Sequence, residues 1–239
     1  MSKLKQLLNI DEFQPERSFE SNLISVSSLL VVRGIMSLFQ LIVLILMIVN
    51  NYDNPLTFGM FLTNFGFYGL TIYLWWSLYL SICAVLNPKT YIPFIYHSSV
   101  FHFIYQLFYE SMLIYHFIIS VIYWSLLASE DLPTLSALLL FLTIARHLFN
   151  FIFMFIELLL SRNLIYLSHY PILLSFGLLY ICLAILVHHL HGIWAYSFLD
   201  YNENPLRFGI VLGGLYYLHK LRDHLFANRY RRIVPESVV

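Results

Sequence analysis

Long apolar runs separated by short clusters of turn-forming residues set the pattern of this chain. The runs extend from Ser27 to Val49, Thr57 to Leu86, Phe101 to Ala128, Leu135 to Leu160, Pro171 to His191 and Leu206 to Leu218. A hydrocarbon core about 30 Å thick takes about 20 such residues in a helix rising 1.5 Å per residue. The pattern therefore predicts an all-α fold, a polytopic transmembrane helix bundle of about six spans. The sixth run is the shortest, and Gly209, Gly213 and Gly214 thin one of its faces. Between the runs stand Asn50 to Pro55, Asn87-Pro88, Ser129-Glu130-Asp131-Leu132-Pro133 and Asn202 to Pro205, where proline and side-chain amides and carboxylates stop helices.

Composition agrees with a bilayer as solvent. Of 239 residues 60% are hydrophobic and 11% charged, against roughly half and a quarter in an ordinary soluble domain. Lys3, Lys5, Arg17, Lys89, Arg162, Lys220, Arg222, Arg229, Arg231 and Arg232 all fall on one side of a six-span arrangement. Basic flanks prefer the cytoplasm, so both termini are expected there. Residues 1–26 then form a cytoplasmic segment, 27–218 the transmembrane domain and 219–239 a basic cytoplasmic tail. The N-terminal stretch is polar and mixed in charge, which points to a signal anchor rather than a cleaved leader. Endomembrane or plasma membrane is favoured over the mitochondrial inner membrane.

Several classes of function drop out. With 13 basic and 13 acidic residues the formal net charge is zero, giving no footprint for nucleic acid. No glycine-rich phosphate loop is present, and no cofactor is expected. Cys83 and Cys182 lie inside apolar runs without pairing or metal spacing. His188, His189 and His191 cluster at the end of the fifth run, but the other segments supply no matching histidine boxes, so no metal site is expected. Trp194, Tyr196 and Tyr201 beside them suit a membrane interface.

Ionisable groups within hydrocarbon are costly, and each is a functional candidate. In the fourth run Thr143, Arg146, His147, Asn150, Met154 and Glu157 share an arc of roughly 100° on a helix, a polar stripe facing the bundle interior. Arg33, Ser37 and Gln40 repeat this on the first run, and the third holds Glu110 and His116. Mutual neutralisation of Arg33, Arg146, Glu110 and Glu157 is the structural expectation, since buried charges persist when paired. His147 differs, because its proton can leave near neutral pH. In the second run Gly59, Thr63 and Gly66 share a face that permits close helix approach.

Three segments together resemble one family. Phe61-Leu62-Thr63-Asn64-Phe65-Gly66, then His147-x-x-Asn150 followed by Glu157-Leu158, then Gly192-x-Trp194-x-Tyr196-x-Phe198-Leu199-Asp200 occur in the order and spacing of the androgen-induced protein and androgen-dependent TFPI-regulating protein family. The Asn150 and Glu157 spacing is closer to its rolling stone-like relatives. The resemblance implies a multipass hydrolase of fatty acid esters of hydroxy fatty acids, with a threonine nucleophile at Thr63 and a histidine base at His147. A hydroxyl becomes a useful nucleophile when a nearby base takes its proton. Asn64 or Asn150 would then serve the oxyanion, and His188 and His189 are alternative bases. Depth tests this arrangement: Thr63 is expected roughly 9 Å below the outer helix end and His147 roughly 18 Å.

These residues leave two readings of function. One is a membrane-embedded lipid ester hydrolase acting on membrane lipids. The other is a non-catalytic family member serving as a structural or accessory subunit of a larger membrane complex, which the load of 21 Phe and 18 Tyr would suit. A transporter or channel is disfavoured, since the halves show no internal repeat and no span is broken at its middle by paired glycine or proline.

Overall fold

The computed structural model describes residues 8–9, 13–50, 60–87 and 93–200. Every regular element among them is helical. Five helices are long and apolar enough to cross a membrane, namely α1 (Val26–Val49), α2 (Leu62–Leu86), α3 (Ser99–Thr134), α4 (Ala137–Leu160) and α5 (Leu167–His191). The chain is thus an integral, multipass membrane protein. The expected sixth span at Leu206–Leu218, the basic tail at 219–239, residues 1–7 and 10–12 of the N-terminal segment and the approach to α2 at Thr57–Gly59 lie outside the described residues.

Serine sets three of the helix starts. Ser25, Ser98 and Ser136 take extended backbone angles, and their side chains accept from the backbone N–H three residues on. That satisfies one of the four orphan donors at a helix N-terminus.

One expected turn is corrected. Ser129 to Asp131 continue α3 as helix, and a 3-10 turn over Leu132–Thr134 comes next before Leu135 goes extended. Pro133 sits in the first positions of that turn, where its missing N–H leaves no bond unmade. Acidic residues at 130 and 131 therefore top a helix rather than float in a loop.

The packing is inverted relative to a soluble bundle. On α1 the residues Val31, Ile35, Leu38, Ile42 and Ile45 point outward, whereas Arg33, Ser37 and Gln40 are fully buried. Lipid accepts the apolar stripe, and the polar stripe must find partners inside. Helix α1 lies on α2, α2 on α3 and α3 on α4. The α2–α3 contact is close at Gly66, where a Cβ would lie 3.0 Å from Ile119 Cδ1 and 3.2 Å from His116 Cε1. Helix α5 joins the bundle through Tyr115, whose hydroxyl donates to the Leu173 carbonyl, and leaves Leu174, Leu178, Leu179 and Leu186 exposed.

The buried charges resolve largely as pairs. Arg33 forms a salt bridge with Glu157 and also donates to Ser81 Oγ at 2.7 Å and to the Ser77 carbonyl at 3.2 Å. Tyr73 donates to the same carboxylate at 3.1 Å. Glu110 accepts from Gln106 at 2.7 Å, from the Tyr166 backbone N–H at 2.9 Å and from His169 Nδ1 at 2.9 Å. His169 Nε2 in turn donates to the Leu8 carbonyl at 2.8 Å. Both clusters lie toward the end of the bundle at which α1 begins and α4 ends.

A cavity at the opposite end holds the candidate site

Helices α3 and α4 each carry one five-residue π segment, Tyr123–Leu127 and Ala145–Phe149. Each inserts a residue relative to the α-helical repeat and rotates the side chains beyond it. The two segments face each other, with the Tyr123 ring stacked on His147 at 3.7 Å and 14°. Thr143 before the α4 segment and Arg146 and His147 within it border a cavity. Beyond that segment, Asn150 and Glu157 turn into the packed core. The polar stripe read from the sequence does face inward, and along its length one part borders the cavity while the other enters the packed core.

The cavity measures about 660 Å³. Thr63, Asn64, Tyr123, Glu130, Asp131, Arg146, His147 and Tyr196 contribute its polar and aromatic wall, with Phe61, Leu127, Leu135 and Ala195 among the apolar lining. Thr63 and His147, expected at different depths, both border this cavity. Thr63 is the second residue of α2, and the extended Phe61 before it offers no side-chain cap. Its N–H is therefore a first-turn donor without an intrahelical acceptor.

Tyr196 fills that role. Its hydroxyl accepts from the Thr63 backbone N–H at 3.3 Å and shares a hydrogen bond with Thr63 Oγ1 at 3.1 Å. Tyr196 arrives there because Gly192, at φ +69°, closes α5 in the left-handed conformation and its N–H bonds the His188 carbonyl at 2.7 Å. The chain then folds over the bundle, with Phe198 and Leu199 buried against Ala184. The Tyr196 ring stacks on Phe198 at 5.1 Å and meets Phe61 edge-on at 5.4 Å. The residue is half-buried overall, but its phenol end is enclosed, and desolvation pushes that group above its ordinary value. It stays protonated across the neutral range.

The expected site residues separate accordingly. Thr63, Asn64 and His147 come together in one wall. His147 is buried, and its Nδ1 has no hydrogen-bond partner among the described residues. Asn64 Oδ1 accepts from Arg146 at 3.3 Å, and Arg146 also donates to the Leu142 carbonyl at 3.2 Å. Asn150 lies elsewhere, its Oδ1 accepting from Gln40 on α1 at 2.6 Å. Glu157 is held by Arg33. His188 stacks on Trp194 at 3.9 Å and His189 is exposed; neither borders the cavity.

Among the described residues no hydrogen bond joins Thr63 to a histidine, and no group of three or more His, Cys, Asp or Glu side chains could hold a metal ion. Tyr196, Tyr123, Glu130 and Asp131 are not marked by the sequence as members of this site, and Arg146 is marked only as a stripe charge awaiting a partner. For Tyr196 a signal exists, its place in the Gly192-x-Trp194-x-Tyr196 segment, but an interfacial belt explains it as well. No protein-family model, curated protein or solved structure matches this chain.

Proposed function

We propose that this protein is a membrane-embedded hydrolase of lipid esters, with Thr63 as nucleophile and His147 as base, as the resemblance to the androgen-induced family implies. One observation carries the reading: Thr63 and His147 border the same cavity of about 660 Å³, a size typical of small-molecule sites. Fatty acid esters of hydroxy fatty acids, or esters of similar shape, are the substrate class. In the six-span arrangement with both termini cytoplasmic, the cavity opens at the non-cytoplasmic end, in an endomembrane or the plasma membrane. An ester dissolved in the bilayer already partitions to that level.

The chemistry runs in two balanced halves. Thr63 Oγ1 forms a bond to the acyl carbon, the carbonyl π pair moves onto oxygen, and the hydroxyl proton passes to His147 through a water in the cavity. Collapse of the tetrahedral adduct breaks the bond to the leaving alkoxy oxygen, which takes the proton from His147. Water then attacks the acyl-threonine in the same way and releases the fatty acid.

The test is release of fatty acid from a branched fatty acid ester by the purified protein in detergent. Wild type is expected to turn over, with Thr63→Ala and His147→Ala lowered by orders of magnitude and chelators without effect. Equal rates in all three proteins, or no turnover by wild type, would overturn the reading.

A further inference from the structure

An ester hydrolase has to stabilise the negative charge that develops on the carbonyl oxygen, and the two asparagines expected to do so from the sequence are placed differently. Asn150 is drawn to Gln40 between α1 and α4. The Asn64 carboxamide oxygen accepts from Arg146. Beside the nucleophile stands the Tyr196 hydroxyl, in contact with both the oxygen and the backbone nitrogen of Thr63.

Resting on the hydrolase reading, we infer that Tyr196 is the oxyanion donor of this site, with its phenol polarised by the Thr63 backbone N–H. The carbonyl oxygen of a substrate is bonded to the same carbon that Thr63 Oγ1 attacks. A donor already in hydrogen-bond contact with Oγ1 therefore reaches that oxygen by a turn of its own proton. The phenol has one proton and two lone pairs. One lone pair accepts the Thr63 N–H, a donor at the positive end of the α2 dipole. Accepting that bond strengthens the proton the phenol gives away. Before attack this proton is shared with Thr63 Oγ1, and once Oγ1 bonds to carbon the developing oxyanion becomes the stronger acceptor. Such preorganised donors act most on the transition state.

The surroundings fix the donor in place. Phe198 stacks on one side of the ring and Phe61 closes its edge. Gly192 sets the turn that delivers the segment. Because burial holds the phenol above its ordinary range, it serves as a donor and leaves the role of base to His147.

Tyr196→Phe keeps the ring and its stacking and removes only the hydroxyl. Turnover of the fatty acid ester by the full chain in detergent is expected to fall about 10²–10³-fold in kcat with KM little changed. A second measurement separates donor from scaffold: affinity for a lipid trifluoromethyl ketone, which adds Thr63 as a hemiketal, against the matching methyl ketone. The variant is expected to lose the trifluoromethyl ketone by a comparable factor and to hold the methyl ketone within about twofold. Equal loss of both ketones, or no loss of either with wild-type turnover, overturns the inference while Thr63→Ala remains inactive. If Thr63→Ala hydrolyses as well as wild type, or wild type not at all, the hydrolase reading fails and the inference falls with it.

Discussion

Toward the end where α1 begins, Arg33, Glu157, Ser81 and Tyr73 saturate one another, and Glu110 collects three donors including His169. At the opposite end, His147 and Tyr123 each keep a buried polar atom without a partner among the described residues, and Thr63 and Tyr196 share a bond beside a cavity. Both regions place polar residues where lipid would surround an unshielded group, and both contain histidine. Pairing of the charges marks the first as structural, since a charge removed from water persists when a partner matches it. Open volume bordered by Thr63, His147 and Tyr196 marks the second as the place for a ligand.

This contrast can be broken by substitutions that should act on one region and spare the other. The largest effect is expected from Thr63→Ala, which should lower ester turnover at least about 10³-fold and leave the thermal unfolding midpoint in detergent unchanged. Glu157→Ala should do the reverse. Leaving Arg33 buried and unpaired is expected to destabilise the fold by about 3–5 kcal/mol, read by denaturant unfolding. The paired change Arg33→Met with Glu157→Leu should recover most of that loss, because two apolar side chains leave no charge stranded. If Glu157→Ala instead abolished turnover in a fully stable protein, the carboxylate would belong to the chemistry.

Smaller effects sharpen the boundary between packing and site. Gly66→Ala puts a Cβ 3.0 Å from Ile119 Cδ1, and crowding of this kind is expected to cost about 1–3 kcal/mol in unfolding. Gly69→Ala meets the flexible end of Met112 and should be milder. The smallest effect is expected at His188, where replacement by alanine should keep turnover within about twofold, while His147→Ala loses about 10²–10⁴. A large kinetic loss at His188 would move the base to the end of α5.

How much could be read without coordinates differs between fold and site. Spans α1 to α5 are legible because lipid imposes a length and a composition on any helix that crosses it. The inward faces of α1 and α4 are legible too, since Arg33, Ser37 and Gln40 recur at helical spacing and have nowhere else to go. Thr63 and His147 emerge from a resemblance between short segments, and the fold brings both into one wall. Asn150 and Glu157 belong to the same segments and do not join them. Periodicity places them on the inward face with His147, and they lie further along α4, where Gln40 and Arg33 of α1 take them up. Tyr196 eludes the sequence because it comes after a left-handed turn at Gly192 and reaches α2 across 133 positions of chain.

The sequence by itself determined that this chain lives in a membrane and which helix faces must be shielded from lipid. Those properties depend on local quantities, the length of apolar runs and the spacing of polar residues, which act before any helix meets another. Tertiary structure alone decided which polar residues neutralise one another and which are left beside a cavity. Pairing depends on the register between helices far apart in sequence, and a single glycine at positive φ, as at Gly192, redirects the chain without leaving a mark in the hydrophobic pattern.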